Sequence, residues 1–321
     1  MTRAAILCIL LLTCLATAVL IYTLTSEFQR HNLRKRFGSF KATLITKNTE
    51  LPHWLNLALQ PNPPAPQAGA FQWQPHHTGF ETTELPLLVN GEEVERLYLA
   101  RINPSHFQFQ VLTNTSGTTD LNSWMTTHKP LMVINASFFG KNGTPTTPIL
   151  SNGQYHGPTA YKGDHGAFVA NATTAQLVDL ETTSWNEAFG AATNAVVSYP
   201  LLLSENGSHR AIPTKFSLAN RSFIAEDASG NILLGTTKNA FFTLERLAKF
   251  LKTSPLDLKL ALNLDGGPAA CQAIQTENFS RNVCGEWEVS VYLNRFKVLK
   301  TGRNTNRWPL PTVLAIFPNS Q

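Results

Sequence analysis

Residues 260–271 read LALNLDGGPAAC. Leucines at alternate positions up to Leu264 predict a buried strand, which ends abruptly at Asp265-Gly266-Gly267. Asp-Gly is a common hairpin signal, so one interpretation of this end is a tight turn. Glycines also leave backbone amides accessible, and successive amides in such turns bind anions. The second interpretation is therefore a site with one carboxylate and two amide donors.

A helix is predicted directly before this strand, from Leu244 to Lys252. Apolar residues recur there at helical spacing, and Thr243 is a suitable N-cap. Ser254-Pro255 ends the pattern, because the residue before a proline is disfavoured in helical conformation. A helix, a strand and then two glycines resemble the ligand sites that lie at the carboxyl ends of strands.

The remaining part of the folded region contains many short strand patterns. Residues 95–102 and 106–112 alternate in type around Asn-Pro-Ser and predict a hairpin. Residues 222–225 and 232–234 flank Ser-Gly-Asn and predict another. The expected fold class is α+β, a strand-rich mixed sheet with few helices, preceded by one N-terminal transmembrane or signal segment.

The charge is unevenly distributed along the chain. The net charge is +5, but residues 1–47 hold seven basic side chains and one acidic side chain, which leaves −1 for the remainder. A nearly neutral body lacks the basic surface of a nucleic-acid-binding protein, so no nucleic acid is expected as a partner. Apolar residues make up 43% of the chain, which suits a globular core.

Residues 4–24 carry no charge. At about 1.5 Å per residue they would span roughly 30 Å, the thickness of a bilayer core. They are either an uncleaved membrane anchor or a signal peptide cleaved after Ala18. We expect the anchor, because the apolar run continues beyond that residue. The domain is then exported, either anchored on the extracytoplasmic side of a membrane or secreted.

Three parts of the chain are predicted. Residues 1–24 form the anchor or signal peptide, residues 25–69 a basic stalk and proline-rich linker, and residues 70–321 the folded domain. The linker is predicted from PNPPAPQAG at residues 61–69, because four prolines in nine positions favour an extended, semi-stiff chain.

Two of the four cysteines lie in the apolar segment, which leaves Cys271 and Cys284. This pair matches no zinc pattern, so neither a metal site nor a cofactor is predicted, and a metal requirement stays open. In an oxidising compartment the pair would close a loop, worth about 3 kcal/mol of stability. Two buried free thiols are the alternative.

Familiar catalytic signatures are absent from the sequence, including Gly-x-Ser-x-Gly, His-Glu-x-x-His and the Gly-Lys-Ser/Thr phosphate loop. Six short motifs instead resemble, in order, those of the phosphodiester glycosidase family. They are NASFF at 135–139, GAFV at 166–169, SYPLL at 198–202, RS at 221–222, LNLDGG at 262–267 and RWPLPTVLAIFP at 307–318. Ser137, Tyr199 and Pro268 depart from the family pattern, which has glycine at each of these positions.

The resemblance implies an exported hydrolase that cleaves a sugar 1-phosphodiester into a sugar and a phosphate monoester. Arg221 suits the departing phosphate, because its planar guanidinium presents a fork of donors. Asp265 is a candidate base, nucleophile or acceptor for sugar hydroxyls. Both are predicted as catalytic residues.

Further residues are expected to contact the sugar-phosphate or glycan substrate. They are Asn135, Phe139, Asp164, His165, Ser198, Gly266 and Gly267. The alternative function is a non-catalytic binder of a sugar phosphate or polysaccharide on the same fold, which the departure at Pro268 favours. The expected membrane contact is through residues 4–24.

Overall fold

The computed structural model describes Thr17 and residues 41–44, 51–114, 118–140, 143–163, 165–214, 217–292, 295–300 and 308–319. The chain divides into two compact units, Met1–Lys41 and Ala42–Gln321. Nearly all of the described residues belong to the second unit, and the fold described below is the fold of that unit.

Four short α-helices lie within the described ranges, together with a 3-10 turn at Gly267–Ala269. The α-helices are α1 (His53–Ala58), α2 (Leu121–His128), α3 (Trp185–Phe189) and α4 (Leu244–Thr253). The helix α4 confirms the helix predicted before LALNL. The hydroxyl of its N-cap Thr243 accepts a hydrogen bond from the Arg246 amide at 3.2 Å. Its apolar face, with Leu247 and Leu251, is buried.

Strands make up most of the ordered elements. They are β1 (Lys41–Leu44), β2 (Gln67–Ala68), β3 (Gln74–His77), β4 (Phe80–Val89), β5 (Glu92–Ile102), β6 (Phe107–Thr113), β7 (Met132–Asn135), β8 (Ile149–Ser151), β9 (Gln154–His156), β10 (Gly166–Ala170), β11 (Ala175–Asp179), β12 (Asn194–Ser198), β13 (Leu201–Leu203), β14 (Leu218–Ala219), β15 (Ser222–Asp227), β16 (Ile232–Thr237), β17 (Leu258–Asn263), β18 (Cys271–Gln275), β19 (Ser280–Cys284), β20 (Trp287–Tyr292), β21 (Arg295–Lys300) and β22 (Thr312–Pro318). The fold is therefore strand-rich α+β, as predicted.

The strands form four sheets. The largest has the order β13-β17-β15-β16-β5-β4-β2, with β3 also paired to β4. Two five-stranded sheets have the orders β11-β10-β12-β8-β9 and β19-β18-β7-β22-β6, and a four-stranded sheet has the order β1-β21-β20-β14. Every register that the structure gives is antiparallel. The predicted mixture of parallel and antiparallel strands is wrong for these pairs.

The strand β17 is buried on both faces, which explains its nearly continuous apolar sequence. Leu260 and Leu262 point into a core shared with β7, β10 and β22. Ala261 points into the opposite core, which also contains the apolar face of α4. Full burial of each leucine side chain contributes about 1.5–3 kcal/mol, and the small alanine leaves room for the helix.

The two predicted hairpins have different outcomes. Residues 222–227 and 232–237 pair as β15 and β16, so that hairpin is confirmed. Residues 95–102 and 106–112 do not pair, because β5 joins the largest sheet while β6 pairs with β22. The chain changes sheets at residues 103–106, where a local Asn-Pro-Ser turn is compatible with either arrangement.

Residues before position 70 contribute to the core of the second unit. In α1, Leu55 and Ala58 are fully buried, and Trp54 packs edge-on against Trp287 with ring centroids 5.4 Å apart. The strand β2, which lies within the predicted linker, pairs with β4. Apolar side chains on both sides of the proline-rich stretch, such as Leu57 and Phe71, pack against the same core. The domain start at residue 70 stays a prediction.

Within the described ranges, no helix combines the length and hydropathy needed to cross a membrane. The predicted apolar segment, residues 4–24, lies outside those ranges except for Thr17.

Candidate active site

The Asp-Gly-Gly stretch carries the chain from one sheet to another. At the end of β17, the Leu264 amide donates to the Ser222 carbonyl at 2.9 Å and the Asp265 amide to the Ala136 carbonyl at 3.0 Å. The chain then enters β18, which pairs with β7. Residues 265–270 are therefore a crossing between two sheets, and the hairpin interpretation of Asp-Gly is wrong here.

Asn135 holds both ends of this crossing. Its Nδ2 donates to the Asp265 carbonyl at 2.8 Å, and its Oδ1 accepts from the Cys271 amide at 3.1 Å. The side chain is buried, with 2% of its residue surface exposed. Backbone groups occupy both ends of the Asn135 amide, so this side chain positions Asp265. It is not placed to make the sugar contact that the sequence predicts.

The two glycines have different partners from those predicted. The Gly266 amide donates to Oδ1 of Asp265 at 2.9 Å, and the Gly267 amide donates to the Asn220 carbonyl at 2.8 Å. Gly267 has a φ of +63°, which glycine adopts without strain. The predicted pair of open amide donors is therefore wrong, because internal acceptors already use both amides.

Two charged side chains lie on either side of the glycines. A methyl group placed on Gly266 would lie 3.5 Å from Nη1 of Arg221, and one placed on Gly267 would lie 3.1 Å from Oε2 of Glu288. Glu288 belongs to β20, in the four-stranded sheet. Sequence reasoning missed it, because no local motif marks a glutamate in WEVSVY and only the fold brings it to the turn.

Arg221 is held in place through its other nitrogens. Nε donates to the Phe242 carbonyl at 3.3 Å and Nη2 to the Ser217 carbonyl at 2.5 Å. Burial lowers the pKa of Arg221 to about 10, while the charges of Glu288 and Asp265 oppose that change. The guanidinium therefore stays cationic at neutral pH and faces the glycine turn with Nη1.

Asp265 is partly accessible to solvent, yet desolvation of its carboxyl group raises its pKa to about 7. The Gly266 amide and the Arg221 charge lower the pKa, and the Glu288 carboxylate raises it. Proton exchange at neutral pH is what a general base or acid requires, and such shifts are frequent at catalytic sites.

An aromatic wall, formed by Phe138, Tyr199 and His165, lies next to Asp265. Phe138 stacks on Tyr199 with ring centroids 4.4 Å apart, and the His165 ring lies 5.5 Å from the same tyrosine. Burial and the Asp265 charge both raise the pKa of Tyr199, which places its ring within electrostatic reach of the carboxylate. Aromatic side chains with a few polar groups are typical of ligand sites.

Two other predicted contacts, Phe139 and Ser198, are placed differently, and a third lies outside the described residues. Phe139 packs into the core around Trp124 and Val133, so Phe138 is the phenylalanine on the side of Tyr199. Ser198 is fully buried, and its hydroxyl accepts from Ser137 at 3.2 Å. Asp164 lies outside the described residues.

A disulfide joins Cys271 and Cys284 at directly paired positions of β18 and β19. Cys271 is the first residue after the crossing, so the bond ties the exit of the Asp265 turn to the neighbouring strand. Among the described residues, no group of three or more His, Cys, Asp and Glu side chains is placed to hold a metal ion.

Comparison with known proteins places this chain in a family. The phosphodiester glycosidase family model matches residues 128–317, more than half of the chain. The chain therefore belongs to the phosphodiester glycosidase family. The matched region contains β7, β17 and the Asp-Gly-Gly crossing, although Pro268 and Tyr199 depart from the family pattern. No curated protein sequence matches the chain.

A solved structure from zebrafish shares the fold at low sequence identity. The zebrafish N-acetylglucosamine-1-phosphodiester alpha-N-acetylglucosaminidase catalytic domain, described as auto-inhibited by its pro-peptide, is 12% identical with a TM-score of 0.50 and covers 87% of this chain and 88% of its own. This likeness concerns the fold.

Two further structures have lower TM-scores. A hypothetical protein from Synechocystis is 17% identical with a TM-score of 0.47, covering 73% of this chain, while this chain spans 64% of that protein. A putative exported protein from Burkholderia pseudomallei is 9% identical with a TM-score of 0.41, covering 70% of this chain and 74% of its own.

Proposed function

We propose that this protein hydrolyses a sugar 1-phosphodiester, releasing the free sugar and a phosphate monoester. The observation that carries the proposal is the meeting of Asp265, Glu288 and Arg221 around one glycine turn. Membership of the phosphodiester glycosidase family supports the same reaction class.

In the proposed reaction, ionised Asp265 accepts a proton from a water molecule. The water oxygen bonds to the anomeric carbon, and the bond from that carbon to the phosphate oxygen breaks. The electron pair leaves with the phosphate monoester. Glycoside hydrolysis ordinarily needs an acid to protonate the leaving oxygen. A phosphate monoester leaves more readily than a sugar hydroxyl, so stabilisation of its charge matters more than its protonation.

The other two charges have separate roles in this proposal. Arg221 stabilises the developing negative charge of the phosphate through Nη1, because its remaining nitrogens hold it to backbone carbonyls. Glu288 raises the pKa of Asp265 towards neutrality. A base with a pKa near the working pH transfers protons efficiently. The sugar ring would lie along Tyr199, the exposed part of the aromatic wall.

The test is turnover of a panel of hexose and N-acetylhexosamine 1-(methyl phosphates), with and without a chelator, in water enriched in ¹⁸O. We expect free sugar and methyl phosphate as products, with the label in the sugar. Label in the phosphate would show P–O cleavage and contradict a glycosidase mechanism.

A non-catalytic sugar-phosphate binder is the second candidate. The specific observation in its favour is that Gly266 and Gly267 already use their amides internally, which removes two donors from a phosphate cradle. Saturable binding of the same methyl phosphates without any product would select this candidate.

We also propose that the protein is exported, and anchored through residues 4–24 with its domain on the extracytoplasmic side. The Cys271–Cys284 disulfide supports this proposal, because structural disulfides persist in oxidising compartments. Non-reducing mass spectrometry of freshly isolated protein should find the crosslinked peptides and an intact N-terminal segment. Two free thiols would contradict export, and an N-terminus at Val19 would show cleavage in place of anchoring.

A further inference from the structure

A groove of about 500 Å³ lies beside the β18–β19 hairpin, over the segment that contains β3 and over β4. Phe279 and Arg281 line it from the tip of the hairpin, which is the opposite end of β18 from the Asp265 crossing. Small-molecule sites occupy about 300–1,000 Å³. The groove is thus large enough for a ligand and separate from the candidate active site.

Arg281 is held in place on the wall of this groove by internal hydrogen bonds. Nη2 donates to the Leu99 carbonyl at 2.9 Å and to Oε1 of Gln272 at 3.1 Å, and Nη1 donates to the Thr83 carbonyl at 3.3 Å. The residue is 8% exposed, and across the described part of the chain Nε has no hydrogen-bond acceptor. A buried donor without an acceptor is costly, so its presence calls for a reason.

The remaining polar lining mixes donors with acceptors. Gln72 and Gln74 are exposed, and each presents a side-chain amide that can both donate and accept. Glu84 adds a carboxylate, which also pairs with Arg96 at 2.7 Å. One guanidinium and one carboxylate leave the lining without net charge. That balance differs from the candidate active site, where Arg221 lies beside two carboxyl groups, those of Asp265 and Glu288.

An aromatic ring supported from behind completes the lining. The His76 ring stacks on Phe279 with centroids 4.4 Å apart, and its Nε2 lies 2.8 Å from Oγ1 of Thr82. Thr82 is buried and also lines the groove. This packing holds Phe279 in one position, so a ligand would meet an apolar surface without first ordering it.

We propose that this groove binds a neutral saccharide. Each sugar hydroxyl can both donate and accept a hydrogen bond, and so can the side-chain amides of Gln72 and Gln74. The C–H groups of a sugar ring pack against an aromatic ring such as Phe279. The absence of net charge in the lining disfavours an isolated anion. The groove is a binding site for a glycan, and its occupancy does not depend on hydrolysis at Asp265.

The experiment uses the full chain and three neutral trisaccharides: chitotriose, maltotriose and cellotriose. Trigalacturonate serves as an anionic comparison. Saturation-transfer NMR identifies a binder, and calorimetry measures its affinity. We expect saturable binding of at least one neutral trisaccharide and weaker binding of trigalacturonate. The variant Gln72→Ala/Gln74→Ala should weaken the affinity about tenfold, or about 1.4 kcal/mol, because it removes two hydrogen-bonding side chains.

Two controls separate this groove from other sites. Gln176→Ala changes an exposed strand glutamine on another sheet and should leave the affinity unchanged. Asp265→Asn should also leave it unchanged. Absence of binding by all three neutral trisaccharides would overturn the proposal. So would preferential binding of trigalacturonate, or an affinity that Asp265→Asn reduces and the double glutamine variant does not.

Discussion

Two carboxyl groups in this protein, those of Asp265 and Glu95, have pKa values raised to about 7 by burial, yet their surroundings differ. Glu95 is fully buried, and its oxygens accept from the backbone amides of Arg96 and Asn239 at 2.9 and 2.6 Å and of Phe241 at 3.2 Å. Asp265 accepts one backbone amide and interacts with two charged side chains.

The difference shows that a raised pKa does not by itself mark a catalytic residue. Glu95 uses its acceptor capacity to hold residues 238–241, the segment leading into α4, so its role is structural. Asp265 retains acceptor capacity, and a cation and an aromatic wall stand beside it. Free acceptor capacity and a neighbouring cation distinguish Asp265 from Glu95, and the pKa alone does not.

The largest expected effect is that of Asp265→Asn. Removing the carboxylate removes the base, so kcat should fall about 100-fold or more, equivalent to about 2.7 kcal/mol. The melting temperature should stay close to that of the wild type, because Asn can accept the Gly266 amide. Asp257→Asn is the matched control, since Asp257 is an exposed turn residue at the other end of β17 with a φ of +52°. Equal activity of Asp265→Asn and wild type would end the proposed role.

Arg221→Lys should have the next largest effect. Lysine keeps the positive charge but loses the planar fork, so kcat/KM should fall about tenfold, or about 1.4 kcal/mol. Arg246→Lys is the control, because Arg246 is a half-buried arginine on α4 that donates to the Ala58 carbonyl at 2.8 Å. A loss of the same size in both variants would show that Arg221 acts through stability alone.

Glu288→Gln tests the tuning of Asp265. With ionised Asp265 as the base, kcat/KM of the wild type should rise with pH and level off above about 7. Glu288 raises the pKa of Asp265, so its neutral replacement should move that limb to lower pH. The measurement is the pH dependence of kcat/KM for both proteins. The same pH dependence of kcat/KM in both proteins would show that Glu288 does not tune the pKa of Asp265.

The smallest expected effect concerns Glu95 and is one of stability. The pKa of Glu95 in the folded protein is about 7, above the usual 4.5. The stability that this group contributes is therefore fully present below about pH 4.5 and is lost as the pH rises to 7. The free energy of unfolding of wild type minus that of Glu95→Gln should therefore be larger at pH 5 than at pH 7, by about 1–2 kcal/mol. Urea unfolding measures it, and parallel pH dependences would contradict it.

Much of the local structure could be predicted from the sequence. The helix before β17 followed from its spacing and the Thr243 cap, and the β15–β16 hairpin followed from Ser-Gly-Asn. The family motifs predict Arg221 and Asp265 as site residues, and Arg221 lies beside Gly266, the residue that follows Asp265. Short-range patterns and motifs carry this information because caps, turns and strand alternation depend on near neighbours.

The sequence by itself determined the strand-rich class of the fold, the helix α4 and the end of β17 at Asp265. Only the tertiary structure decided that residues 103–106 change sheets, that Gly266 and Gly267 use their amides internally, and that Glu288 joins the site. The physical reason is that these features depend on which strands pair. Pairing is decided by burial on both faces of each sheet, a property of residues far apart in the chain.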